Sequence, residues 1–293
     1  MEKVMKVAKS LNELRQMRTE LKGSVGFVPT MGALHDGHAS IIRKSARENP
    51  ETIVSIFVNP SQFGANEDFG KYPRTLEEDL KKCEEAGASL VFIPDRLEIY
   101  GDQKPLITFN VDKEMTSILC GKDRPGHFEG VVQIVSILFN LVRPDVAYFG
   151  EKDFQQLSVI RKMVSDLHFQ LEVRSVPTIR ELDGLAMSSR NRFLSDDHRK
   201  LATEIYKTMK AMRAKADDAL FERRAIPVEF AEDVAVKRLE EFIPDAKIDY
   251  VEIRSDDDLS KSRFLSNSSR IFIALKLGNT RLIDNMFIGK RNG

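Results

Sequence analysis

Two histidines, His35 and His38, lie in the run Pro29-Thr30-Met31-Gly32-Ala33-Leu34-His35-Asp36-Gly37-His38. Side chains at i and i+3 fall near one side of a helical turn. SVGFVPT (24–30) reads as a strand, and a helix is expected from about His38 to Glu48, so the run is a strand-to-helix turn. Gly32 and Gly37 let its backbone turn tightly and come close to a ligand. A helix N-terminus offers unpaired N–H groups and a positive dipole end, which receive phosphate. Imidazoles placed there can donate to phosphoryl oxygens as charge grows on them. A histidine cap without chemistry fits the same four residues equally well. A zinc site does not, because no Glu or Cys completes its spacing.

A second cluster, Met187-Ser188-Ser189-Arg190-Asn191, follows Asp183-Gly184. Two hydroxyls and a guanidinium can hold a triphosphate, with Arg190 binding phosphate oxygens as a fork. Alone, this segment reads as a polar loop between domains, with a helix cap at Ser195. Together with the upstream histidines it is similar to the pair of loops, HxGH and a KMSKS-like segment, that bracket ATP in the nucleotidylyl-transferase superfamily.

Several elements must position these groups. Further strands are expected at TIVSIFVN (52–59), SLVFIP (89–94), VAYFGE (146–151) and LEVRSVPTIR (171–180), with helices at 75–88, about 128–142 and 153–168. Val, Ile and Phe run without clean alternation, which suits strands covered on both faces. Strand–helix alternation then implies a parallel sheet with helices on both sides. After about Asn191 the pattern changes to charged helices at about 196–218 and 227–242. Strands follow at 247–255, 270–278 and 281–289, an α+β arrangement. Two domains are therefore expected: residues 1–184, α/β with a Rossmann-like parallel sheet, and residues 185–293, smaller and α+β. The likeness to loops that bracket ATP implies that the second acts as a lid, bringing Met187–Arg190 over ATP and excluding water.

Composition narrows the function. The 293 residues carry 45 basic and 45 acidic side chains, which argues against a general nucleic-acid or membrane-surface binder needing a field of one sign. An apolar fraction of 42% is ample for a core. Cys83 and Cys120 are too few for a disulfide framework, read as buried small hydrophobes, and fit a reducing, cytoplasmic setting. MEKVMKVAKSLNEL has no apolar stretch of secretory type. The most apolar run, Val131 to Val142, is broken by Gln133, Ser136 and Asn140 and falls short of the ~20 residues that span a bilayer.

The resemblance extends beyond the two loops. VPTMGALHDGH, IFVNPSQFGANEDFGKYPRT, RPGHFEGVV, RPDVAYFGEKDFQQL and RELDGLAMSSRN, in that order, resemble the pantothenate synthetase (pantoate–β-alanine ligase) family, with a weaker echo in IFIALKLGNTRLIDN. The resemblance implies ATP-dependent amide synthesis. Pantoate and ATP give pantoyl adenylate and pyrophosphate, and β-alanine then displaces AMP to give pantothenate. It implies that Met31, Gly32, Ala33, Leu34, His35, Asp36, Gly37 and His38 form the ATP-binding turn, with His38 catalytic. Gly150-Glu151-Lys152-Asp153 and Met187-Ser188-Ser189-Arg190 also hold ATP, and the backbone of Ile179 meets the adenine. Gln62 and Gln156 take pantoate, Gln62 also meets β-alanine, and Asn59, Lys152 and Arg190 join His35 and His38 in the catalytic group. Mg²⁺ is implied with the phosphates, its ligands unassigned, and a homodimer is implied.

The residue chemistry agrees. Attack of a weak carboxylate nucleophile on an α-phosphate is limited by alignment and charge, which imidazoles, Lys152, Arg190 and helix-end amides address. Carboxamides suit pantoate, whose hydroxyls and carboxylate need donors and acceptors together. No strong base for β-alanine stands out. Singly, Asn59-Pro60 is a turn, Lys152 a surface charge, Gln156 a solvated helix start, and His127, with Arg124 nearby, a cap. Their joint order gives them a role. His168 and His198 read as structural. Two alternatives remain at this level: a nucleotidyltransferase acting on a phosphorylated cofactor precursor, and a nucleotide-binding module without catalysis.

Overall fold

The computed structural model describes residues 4–64, 69–102 and 105–290. Ala65–Asp68, inside the expected NPSQFGANEDFGKYPRT motif, lie outside the described residues. The described part of Met1–Glu151 with Val159–Pro177 forms one compact unit, and that of Lys152–Ser158 with Thr178–Gly293 forms another.

The first unit is built on a six-stranded sheet: β1 (Lys6–Ala8), β2 (Val25–Thr30), β3 (Glu51–Ile56), β4 (Leu90–Phe92), β5 (Val146–Gly150) and β6 (Glu172–Val176). Its helices are α1 (Leu11–Glu20), α2 (Asp36–Glu48), α3 (Leu76–Glu85), α4 (Arg96–Tyr100), α5 (Lys113–Thr116), α6 (Leu119–Asp123) and α7 (His127–Val142), with α8 (Phe154–Asp166) after β5. Strand order is β1-β4-β3-β2-β5-β6, with every pairing parallel. From β2 the chain steps to β3 on one side and returns later to β5 on the other. The order therefore reverses between β2 and β5, the place where open α/β sheets bind ligands beyond their strand ends.

Both faces of the sheet are covered. Ile42 of α2 and Cys83 of α3 pack with Val28, Val54 and Val91 on one face. Phe139 of α7 meets the rings of Phe27, Phe149 and Phe169 edge-on. α7 ends where Arg143 turns left-handed and donates its N–H to Phe139, and Pro144 blocks continuation.

The second unit carries α9 (Asp196–Leu201), α10 (Thr203–Phe221), α11 (Val228–Phe242) and an antiparallel sheet of β7 (Lys247–Ser255), β8 (Ser269–Leu277) and β9 (Thr280–Phe287) in that order. Ile205, Met209, Ala231 and Leu239 on the helices bury Ile271, Ile273 and Leu275 of β8. The single helix expected at 196–218 runs as two, interrupted at Ala202. β1 and α1 were not expected, since three strand residues carry too little pattern to read. Among the described residues no helix is long and apolar enough to cross a membrane.

Candidate active site

Three loops leave the carboxyl ends of the neighbouring strands β3, β2 and β5, and each carries a motif from the sequence. After β2, Gly32 takes φ +81° and Ala33 φ 50°, both left-handed. A Cβ on Gly32 would lie 3.0 Å from Asp79 Oδ2 and 3.1 Å from Ile56 Cγ2, so glycine is required there twice over. The Ala33 and Leu34 N–H groups donate to the buried Asp79 carboxylate at 3.0 and 2.7 Å, and Thr75 Oγ1 donates to it at 3.2 Å. Hydrogen bonds to a charged group contribute about 1.5–3 kcal/mol each, so α3 fixes the turn that enters α2.

His35 is the N-cap of α2. Its Nδ1 accepts from the Gly37 N–H at 3.1 Å, and His38 Nδ1 accepts from the His35 N–H at 3.3 Å. The imidazoles thus form a reciprocal capping box, with ring centroids 4.1 Å apart. Accepting at Nδ1 leaves the ring proton on Nε2, so both rings are set up to donate from that atom. The expected cap and the expected phosphate donors are thus the same side chains. Asp36 is exposed and lies 4.0 Å from Lys82.

After β3, Asn59 is only 1% exposed. Its Oδ1 accepts from Tyr100 OH at 2.7 Å and Ser61 Oγ at 2.9 Å, and its Nδ2 donates at 3.1 Å to both Gln62 Oε1 and the Gly130 carbonyl. Burial pushes the Tyr100 hydroxyl pKa up, so it remains a donor. Gln62 Nε2 then reaches Met31 Sδ at 3.1 Å, which brings the NPSQ and HxGH motifs together. α7 approaches closely at Gly130, where a Cβ would lie 2.3 Å from the Ser61 carbonyl oxygen. His127 joins the same cluster through Gln62 O at 2.8 Å and Arg124 Nη1 at 3.0 Å.

After β5 the chain passes Gly150 and Glu151, whose Oε1 accepts from Ser175 at 3.0 Å. The remaining expected residues belong to the second unit. Lys152 is largely buried and lies 4.0 Å from Asp153, and Gln156 is half-buried on the first turn of α8. Arg180 bridges Ala186, and the Ile179 carbonyl accepts from the Met187 N–H at 3.0 Å. This hairpin delivers Ser188, whose Oγ caps the 3₁₀ turn Ser189–Phe193 by accepting from the Arg190 N–H at 3.3 Å. Arg180 pairs with Asp284 through both guanidinium arms and lies 4.3 Å over the Tyr206 ring.

Sequence reasoning missed Asp79, Tyr100 and Gly130. Asp79 sits in a charged helix, and its spacing of i, i+4 from Cys83 is the one hint that it faces inward. Among the described residues no group of three or more His, Cys, Asp or Glu side chains could hold a metal ion.

A parallel sheet with a capped HxGH turn at its point of strand reversal defines an α/β nucleotide-binding enzyme of the HxGH class. The sequence profile described as Pantoate-beta-alanine ligase matches residues 3–287. The pantothenate synthetase of Carboxydothermus hydrogenoformans is 48% identical over 268 residues, covering 90% of this chain and 91% of that one. The crystal structure of pantothenate synthetase from Thermus thermophilus superposes with a TM-score of 0.89 at 41% identity, covering 97% of this chain and 100% of that one. The Francisella tularensis pantoate-beta-alanine ligase, solved as a complex with beta-gamma ATP and beta-alanine, gives 0.78 at 34% identity, covering 97% and 98%. The chain belongs to the pantoate–β-alanine ligase family. It is an enzyme of the ligase class and catalyses pantothenate formation.

Proposed function

We propose that the chain couples pantoate to β-alanine through pantoyl adenylate, using ATP and releasing pyrophosphate and AMP. The observation that carries this reading is the reciprocal histidine cap at the strand reversal, with Gln62 tied to the same turn through Met31. The ATP and β-alanine of the Francisella ligase complex support it.

A pantoate carboxylate oxygen attacks the α-phosphorus and pyrophosphate leaves. The amine of β-alanine then attacks the acyl carbon, and AMP leaves with the bridging oxygen. His35 and His38 donate from Nε2 to phosphoryl oxygens, within the ATP-binding turn of Met31 to His38, whose Ala33 and Leu34 amides are held by Asp79. Lys152 and Arg190 add positive charge, with Gly150 to Asp153 and Met187 to Ser189 holding the nucleotide and Ile179 meeting the adenine through its backbone. Such preorganised donors reduce the charge and alignment components of the barrier. Gln62 and Gln156 take pantoate, and Gln62 meets β-alanine. Asn59 acts on Gln62 rather than on a ligand, because its carboxamide is fully used within the protein.

Mg²⁺ belongs to this reading as the counter-ion of the triphosphate. The described side chains build no protein cage for it. A cytoplasmic setting accords with Cys83 and Cys120 standing outside any disulfide. The homodimer rests on the family resemblance, and light scattering tests it.

An isotope experiment tests the reading. Pantoate labelled with ¹⁸O in its carboxylate should pass one labelled oxygen to the phosphate of AMP. Label retained wholly in pantothenate, or ADP as product, would refute it.

A further inference from the structure

The C-terminal echo IFIALKLGNTRLIDN has no part in the chemistry above, yet its last two residues are buried and polar. Asp284 and Asn285 are each 5% exposed and, as successive residues of β9, project to opposite sides of the sheet. Asp284 holds Arg180 of the hairpin. Asn285 reaches the other motif segment of this unit.

Asn285 Nδ2 donates to the backbone carbonyl of Lys152 at 2.9 Å, and Asn285 Oδ1 accepts from Arg270 Nη1. A guanidinium carries only donors, so Arg270 fixes which way the amide faces: Oδ1 toward itself and Nδ2 toward Lys152. Arg270 is held in turn. It is 2% exposed, pairs with Asp256 through Nε, and lies with Cζ 3.8 Å over the ring of Phe154, two residues beyond Lys152. Asp256, Arg270 and Asn285 thus form a buried chain that ends on the Lys152 peptide and on the first ring of α8. A buried cation with this many directed contacts is costly to rearrange, which makes the chain a rigid support.

We propose that Asn285 is a positioning residue for Lys152. It sets the backbone from which the ammonium reaches the nucleotide, with its own orientation set by Arg270. This rests on the role given to Lys152 under the proposed function.

The test is a double-mutant cycle on pantoyl adenylate formation, measured in single turnovers at saturating substrates. Asn285→Asp keeps an acceptor for Arg270 but replaces the donor facing the Lys152 carbonyl with an oxygen. The expected result is a loss on the order of tenfold in the adenylation rate, as for a small misplacement of a catalytic group, with pantoate affinity by titration calorimetry within about twofold. In a Lys152→Ala background the same change should cost less than about twofold, since it acts through a group no longer present. Asn285→Ser, which adds no charge, carries the same cycle if Asn285→Asp fails to fold. An equal loss in both backgrounds, or an unchanged rate in the wild-type background, would overturn the inference while leaving Lys152 its role. An unchanged rate in Lys152→Ala alone would overturn both.

Discussion

The carboxylate of Asp79 accepts the backbone N–H of Leu34 at 2.7 Å, one residue before the histidine that caps α2. The turn leaving β2 is therefore shaped by a side chain from α3. Asp79→Asn keeps one acceptor but turns an NH₂ toward one of the two backbone donors. The variant should lose about 1–3 kcal/mol of stability, and ATP should bind more weakly because the cap is displaced. Urea unfolding and ATP titration check the two effects, and unchanged values in both would contradict this role.

Gly130 lets α7 lie against the NPSQ turn. A Cβ there would meet the Ser61 carbonyl oxygen at 2.3 Å and the Gln62 nitrogen at 2.7 Å, both backbone atoms that cannot swing away. Gly130→Ala should cost about 1–3 kcal/mol by overpacking. It should also weaken pantoate binding more than ATP binding, because Gln62 moves while the histidine cap stays. Calorimetric titration of each substrate separates the two.

Glu48 accepts from Arg174 Nη1 at 2.8 Å and from Tyr148 OH at 2.9 Å, and Lys44 lies 3.2 Å away. The Arg174 hydrogen bond is the main reason that its carboxyl pKa falls from 4.5 to about 2. A carboxyl whose folded pKa is depressed stabilises the fold above its unfolded value and loses that contribution as pH falls through the folded one. Glu48→Gln should therefore be less stable than wild type at neutral pH. The gap should be no more than about 1 kcal/mol after solvent screening, narrowing below pH 4.5 and closing near pH 2. Urea midpoints across that range measure it, and a pH-independent gap would contradict the pairing.

Cys83 is fully buried on α3, and burial, with the Asp79 carboxylate beside it, pushes its thiol pKa up to about 12. Since the thiolate is the nucleophile, Cys83 should resist iodoacetamide at about pH 8 in the native protein and react once unfolded in urea. Peptide mapping distinguishes it from the half-buried Cys120, and native labelling of Cys83 would contradict its burial.

The strands and helices around the motifs were legible because their apolar runs are long and their turns are marked by glycine and proline, as at Gly32 and Arg143-Pro144. α1 carries a local signal too: Ser10 and Glu13 form a reciprocal capping box, the S-x-x-E pattern of the sequence. Only Leu14 is buried behind that cap, so no apolar stripe reinforces it. The motif residues could be named one by one, but their supports could not. Asp79, Tyr100, Arg270 and Asn285 act across long sequence separations, and each has an ordinary local reading as a surface charge, a helix end or a strand residue. Their function lies in the partner that folding brings to them, and no spacing along the chain encodes it. Asn59 shows the same limit, since nothing in its motif tells of the Tyr100 and Gly130 partners that hold it in the buried cluster with Gln62.

The formation of an adenylate before amide synthesis is tested most directly by isotope exchange between pyrophosphate and ATP with β-alanine omitted. The wild-type chain should exchange label only when pantoate is present, and His38→Ala should slow that exchange by orders of magnitude while remaining folded. No exchange with pantoate in an enzyme that still forms pantothenate, or exchange without pantoate, would contradict the adenylate route.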